Sequence, residues 1–128
     1  MEQEEIIEAW LESAERNLAT ARDLIESKHY DWGLFIGQLA LEKLLKSVVT
    51  KAQNDSPPYT HNLVKLAELS SIKFSEEDLE NLAQITKYNV QARYDDIKYQ
   101  LYKMATKEYT EEWFTKIERI YSWIKEHC

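Results

Sequence analysis

The segment Asn89–Lys103, NVQARYDDIKYQLYK, concentrates groups that can handle an anion. Arg93, Asp95, Asp96 and Lys98 fall within six residues, with Tyr94, Tyr99 and Tyr102 among and after them. An arginine can grip a phosphate through two parallel N–H donors. Asp95 or Asp96 could orient that guanidinium, or bind a metal beside a nucleotide. Tyr94 could stack on a base or pack inward. The spacing lacks a core-facing stripe, so the run reads either as a polar site or as a solvated connection closed by an Arg93–Asp96 ion pair.

Two other stretches carry polar groups at suggestive spacing. In LALEKLLKSV, Glu42 and Lys46 stand four apart on a helix, in the order that favours an ion pair, with Lys43 beside them. This seam either faces solvent or lines a groove opposite the basic segment. In PPYTHNL, His61 stands at a helix start, where it caps, supports a neighbour, or does acid/base work. His29, His61 and His127 are too far apart for a helical i, i+4 metal pair, and there is neither a cysteine pair nor a Gly-rich phosphate loop. No metal and no cofactor is expected.

The positioning elements follow from periodicity. The 128 residues contain two glycines and two prolines, so few positions break a helix. Apolar residues recur at helical spacing from Glu4 to Ser27, and Asp31 is placed to cap a second helix over Trp32–Lys51. That second helix is apolar nearly all round, as a buried helix is. Its Gly33, Gly37 and Ala40 would let the first helix or a second subunit approach closely. AQNDSPPYT ends it. Thr60 is a candidate cap for a short helix bearing Leu63, Leu66 and Leu69. SEED, from Ser75, has the capping-box pattern and opens a fourth helix fading near Tyr88–Asn89. A last helix is expected from Thr110 to Glu126. Ile97, Leu101 and Met104 give at most a short, poorly amphipathic helix between them. The expected fold is all-α, an up-down antiparallel bundle of about five helices in one domain, residues 1–128.

Charge narrows the partners. The net charge is −7, which disfavours duplex DNA. The charge is uneven: Met1–Lys28 is −5, with eight acids against three bases, and Lys87–Lys107 is +3, with five bases against two acids. Arg93 therefore sits in the most basic part of an acidic chain. The lone cysteine, Cys128, cannot form an internal disulfide, and MEQEEII does not look like a signal peptide. A cytoplasmic protein without a membrane segment is expected.

The ordered set of motifs resembles the HEPN family. It runs from A-x-x-x-L-x-x-A (Ala14, Leu18, Ala21) through Gln38, Glu42, Lys43 and Lys46, then Thr60, His61 and Leu63, to Ala92, Arg93, Tyr94 and Asp96. The likeness spans about Glu8 to Glu126. It implies a five-helix homodimeric domain, often encoded beside a minimal nucleotidyltransferase in pairs that look like toxin–antitoxin systems. Many family members are metal-independent ribonucleases with Arg, four to six residues, then His. Here Lys98, Tyr99 and Gln100 occupy the places where that histidine would stand. Losing a catalytic acid/base typically costs 10²–10⁴-fold, and tyrosine, with a reference pKa of about 10, replaces it poorly. The related toxins carry a tyrosine that the partner modifies, which draws attention to Tyr99 and Tyr102, although their spacing departs from the family's.

Three readings follow. The first is a nucleotide- or RNA-phosphate-binding module using Arg93, Tyr94, Asp96, Lys43 and Lys46, supported by Glu42 and His61, and paired with a nucleotidyltransferase subunit. The second is a diverged ribonuclease toxin. The third is a non-catalytic protein-pairing module.

Overall fold

A computed structural model describes residues 2–92 and 95–128, with the side chains of 95–98 outside that description. Among the described residues six helices follow one another: α1 (Gln3–Glu26), α2 (Tyr30–Gln53), α3 (Leu63–Leu69), α4 (Glu76–Gln91), α5 (Asp95–Met104) and α6 (Lys107–His127). No strand occurs among the described residues. The chain is thus the all-helical bundle its periodicity predicts, with the Ile97–Leu101–Met104 stretch realised as a sixth helix.

The short α1–α2 connection makes an antiparallel hairpin. The Gln3 amide at one end of α1 donates to the Thr50 carbonyl near the far end of α2 at 3.1 Å. Helix α6 returns antiparallel to α1, fixed by Arg22–Glu118 at 2.6 Å and by a second pair, Lys125–Glu15. Helix α4 runs antiparallel to α6, with Asp78 against Arg119 near one end and the Tyr88 and Tyr109 hydroxyls in contact near the other. Helix α2 contacts every other helix of the bundle. Its all-round apolar surface has this cause: Leu34, Leu41, Leu44, Leu45 and Val49 are fully buried or nearly so.

Both glycines are used inside the protomer. A Cβ at Gly33 would collide with the Ile25 side chain of α1, and one at Gly37 would press on Ile117 of α6 at 3.1 Å. Glycine there leaves room for the Ile25 and Ile117 side chains of the neighbouring helices, which offsets its roughly 1 kcal/mol helix cost.

The helix ends differ from expectation in detail. Helix α2 begins at Tyr30 after His29, and Asp31 lies inside its first turn instead of capping it. Asn62, not Thr60, caps α3, accepting from the Val64 and Lys65 amides at 3.0 and 3.3 Å. Thr60 instead accepts from the Asn62 N–H. Ser75 caps α4 by accepting from the Asp78 N–H at 3.1 Å. The reciprocal half of the box is absent, because the Asp78 carboxylate goes to Arg119 at 2.6 and 3.3 Å. Thr106 caps α6 and starts it three residues before Thr110. Among the described residues no helix is long and apolar enough to cross a membrane.

Candidate functional site

The centre of the bundle holds a chain of polar side chains where apolar ones would be expected. Gln38, Glu42 and Lys46 occupy successive turns of one face of α2, so an i, i+4 spacing aligns them. Glu42 and Lys46 are 4% and 7% exposed. They are therefore not the solvent-facing seam that was one of the two sequence readings. Burial of charge at this depth is tolerable only when every group is paired, and here each one is. Lys46 Nζ donates to Glu42 Oε2 at 3.0 Å. The other carboxylate oxygen accepts from the Gln38 amide at 3.2 Å and meets His61 Nδ1 at 2.8 Å.

The same Gln38 amide nitrogen also donates to the His61 carbonyl at 3.2 Å, which holds the segment entering α3 against α2. The Gln38 carbonyl oxygen accepts from the buried Asn89 amide at 3.0 Å. The network thus links the middle of α2, the approach to α3 and the last turn of α4. It reaches the surface at His61, whose side chain is 48% exposed. A buried carboxylate holding one imidazole nitrogen fixes the ring's orientation.

Lys43 lies elsewhere. One residue after Glu42 it is rotated by about 100° around the helix, and it points to α1, where its ammonium donates to Ser13 Oγ at 2.8 Å. Trp10 divides the two lysines. A hollow of about 370 Å³ is lined by Ile6, Ala9, Trp10, Ser13 and Lys43. A second of about 200 Å³ is lined by Ile6, Trp10, Lys46 and Ser56–Tyr59. Lys46 Nζ lies 5.4 Å from the Trp10 ring centroid, within cation–π range.

Of the residues singled out in the sequence, Glu42, Lys46 and His61 come together, and Lys43 does not join them. Arg93 and Tyr94 lie outside the described residues, and Asp96 belongs to α5 with its side chain outside them. Tyr99 and Tyr102 are exposed on α5 and stacked at 6.2 Å, with Lys103 5.3 Å from the Tyr99 ring. Among the described residues no three of His, Cys, Asp and Glu converge as a metal would require. Sequence reading assigned no site role to Gln38, Asn89 or Trp10. Gln38 carried a signal, a polar residue four before Glu42 inside an apolar helix. Asn89 and Trp10 gave none, since a helix-terminal amide and an aromatic on an amphipathic stripe are ordinary.

The arrangement matches known proteins over nearly its whole length. The HEPN domain model matches residues 7–127. The crystal structure of TT1696 from Thermus thermophilus aligns with a TM-score of 0.80 at 23% identity, covering 95% of this chain and 98% of that one. At that identity the likeness speaks for the fold. The crystal structure of ST0689, described as an archaeal HEPN homologue, aligns with a TM-score of 0.71 at 25% identity, covering 94% and 95%. No curated protein matches the chain. The polar chain through α2 and α4 is therefore set in a known scaffold, and this chain belongs to the HEPN domain family.

Proposed function

We propose that this domain binds the phosphate of a nucleotide or of RNA, at a site where Arg93 grips the anion. Tyr94 and Asp96 support that arginine, while the charge of Lys46 is met by Glu42 and Lys43 turns to α1. The observation that carries the reading is the Asn89–Gln38–Glu42–Lys46 network. It anchors the last turn of α4 to the central helix four residues before Arg93. The proposed anion site therefore follows, in sequence, a helix end that the network ties to the core. The local excess of bases around it favours an anion.

Family membership supports the rest of the reading. The domain works in the cytoplasm as a homodimer and as the helical partner of a separate minimal nucleotidyltransferase in a toxin–antitoxin-like pair. Light scattering checks the dimer against the 15.2 kDa protomer. Calorimetric titration with ATP, AMP and a short RNA checks the binding. Wild-type heat that Arg93→Ala abolishes, in a variant of matched melting temperature, supports the site. No heat from any of the three ends the reading and leaves the protein-pairing role.

A second reading, a diverged ribonuclease, is favoured by the Glu42–His61 pair. The family's usual histidine after Arg93 is replaced, yet a carboxylate-oriented imidazole stands at the surface end of the network. In this reading His61 moves the proton of the 2′-hydroxyl and Arg93 holds the scissile phosphate. Cleavage of single-stranded RNA that is lost in both His61→Ala and Arg93→Ala would support it. Intact RNA at high protein concentration would rule it out.

A further inference from the structure

We propose that the cleft beside Trp10 is a base subsite, in which a nucleobase lies against the indole and a phosphate other than the one at Arg93 meets the Lys43 ammonium. The inference deepens the nucleotide reading above and rests on it.

Three observations carry it. First, Lys43 and Lys46 differ in how their charges are met. Lys46 has the Glu42 carboxylate at 3.0 Å, whereas partly buried Lys43 has the Ser13 hydroxyl at 2.8 Å. No carboxylate lines the 370 Å³ cleft among the described residues. A partly desolvated ammonium met, among the described residues, by a neutral hydroxyl is stabilised further when an anion arrives. Second, Trp10 is half-buried but is not among the side chains packed on the core, so its ring is a wall of the cleft. Third, Ile6 and Ala9 make the rest of that wall apolar, and Ser13 adds a hydroxyl at the lysine end. An aromatic face, a small apolar floor and a cation with a hydroxyl at one end suit a heteroaromatic ring that carries a phosphate. The ring also spans both hollows, so a strand could continue from the Lys43 side towards Lys46 and Pro57–Tyr59.

The ligand is either a free mononucleotide or one unit of a single strand, and the two sources share this chemistry. The test is NMR of the four indole N–H signals, with Trp10 assigned by its loss in Trp10→Phe. AMP and a short oligoadenylate are titrated separately.

The expected result is a saturable shift of the Trp10 signal, with affinity about tenfold weaker in Trp10→Leu and largely kept in Trp10→Phe. Lys43→Gln should weaken binding and flatten its salt dependence. A response to AMP alone identifies a mononucleotide, and a response to the oligomer alone identifies a strand. If ligand moves other signals and leaves Trp10 unmoved, the subsite is wrong and the nucleotide reading stands. If neither ligand moves any signal or produces heat, both fail. If Trp10→Leu keeps its melting temperature but halves the particle mass, the cleft is covered by a second copy and the subsite is wrong.

Discussion

Gln38 and Asn89, 51 residues apart in sequence, share a fully buried hydrogen bond of 3.0 Å that ties the central helix to the end of α4. Neither amide is exposed, and the Asn89 N–H₂ finds its acceptor in Gln38. Gln38→Leu leaves the Asn89 N–H₂ without its acceptor, and the expected loss is about 2 kcal/mol. Gln38→Leu combined with Asn89→Leu should cost less than the sum of the single changes, with a coupling of about 1 kcal/mol. Urea unfolding of the three variants measures this, and strict additivity would contradict the link.

Glu42 is the node of the network, and its removal exposes the difference between a pair and an orphan. Glu42→Ala leaves the Lys46 ammonium buried beside apolar neighbours, and the expected loss is about 3 kcal/mol. His61→Ala removes a half-exposed partner from the same carboxylate and should cost roughly 1 kcal/mol. A cost for Glu42→Ala no larger than that for His61→Ala would mean that water reaches Lys46. Denaturant midpoints at constant slope decide it.

With both glycines inside α2, the chain leaves its helices through residues that carry side chains. Lys28 and Ser71 have φ of 68°, and Asn54 has φ of 55°. Positive φ costs an ordinary residue roughly 1 kcal/mol, and asparagine less. Lys28→Gly and Ser71→Gly are therefore expected to stabilise the protein by about 0.5 kcal/mol each, after the larger chain entropy of glycine is counted. Asn54→Gly should be close to neutral. Thermal melts that rank the three otherwise would show that Lys28 or Ser71 gains compensating contacts.

Tyr88 is fully buried, and its hydroxyl lies 2.7 Å from that of Tyr109. Burial, and then the Tyr109 hydrogen bond, push its pKa well above the ordinary 10.0. A raised folded-state value means that the folded protein resists forming the phenolate. This stabilisation is complete below the unfolded pKa near 10 and is lost as pH rises beyond it. The melting temperature should therefore fall between about pH 10 and 12. Tyr88→Phe should reduce the steepness of that fall, while lowering stability near neutrality by about 1 kcal/mol. An unchanged alkaline slope in Tyr88→Phe would assign the fall to other groups.

Much of the architecture can be read along the chain. The 3.6-residue recurrence from Ile6 to Ile25, the all-round apolar α2 and the Pro57–Pro58 break depend on local spacing alone, so the sequence by itself determines an all-helical bundle and the order of its motifs. Helix α5 was harder to read, because a single poor apolar face is weak evidence of a helix. The caps were legible only in part. Ser75 caps as its neighbours predict, whereas Asp78 abandons the box for Arg119, 41 residues away.

The tertiary structure decided the site. Glu42, Lys43 and Lys46 form one polar cluster in the sequence, but the rotation of about 100° per residue sends Lys43 to α1 and the other two inward. Whether a charged residue on a helix faces water or a buried partner depends on which helices pack there. His61 reaches Glu42 from the approach to α3, and Asn89 reaches Gln38 from the end of α4, segments whose proximity to α2 no local pattern encodes. Spacing sets the face of a helix on which a side chain lies, and only the packing of the other helices sets what that face meets.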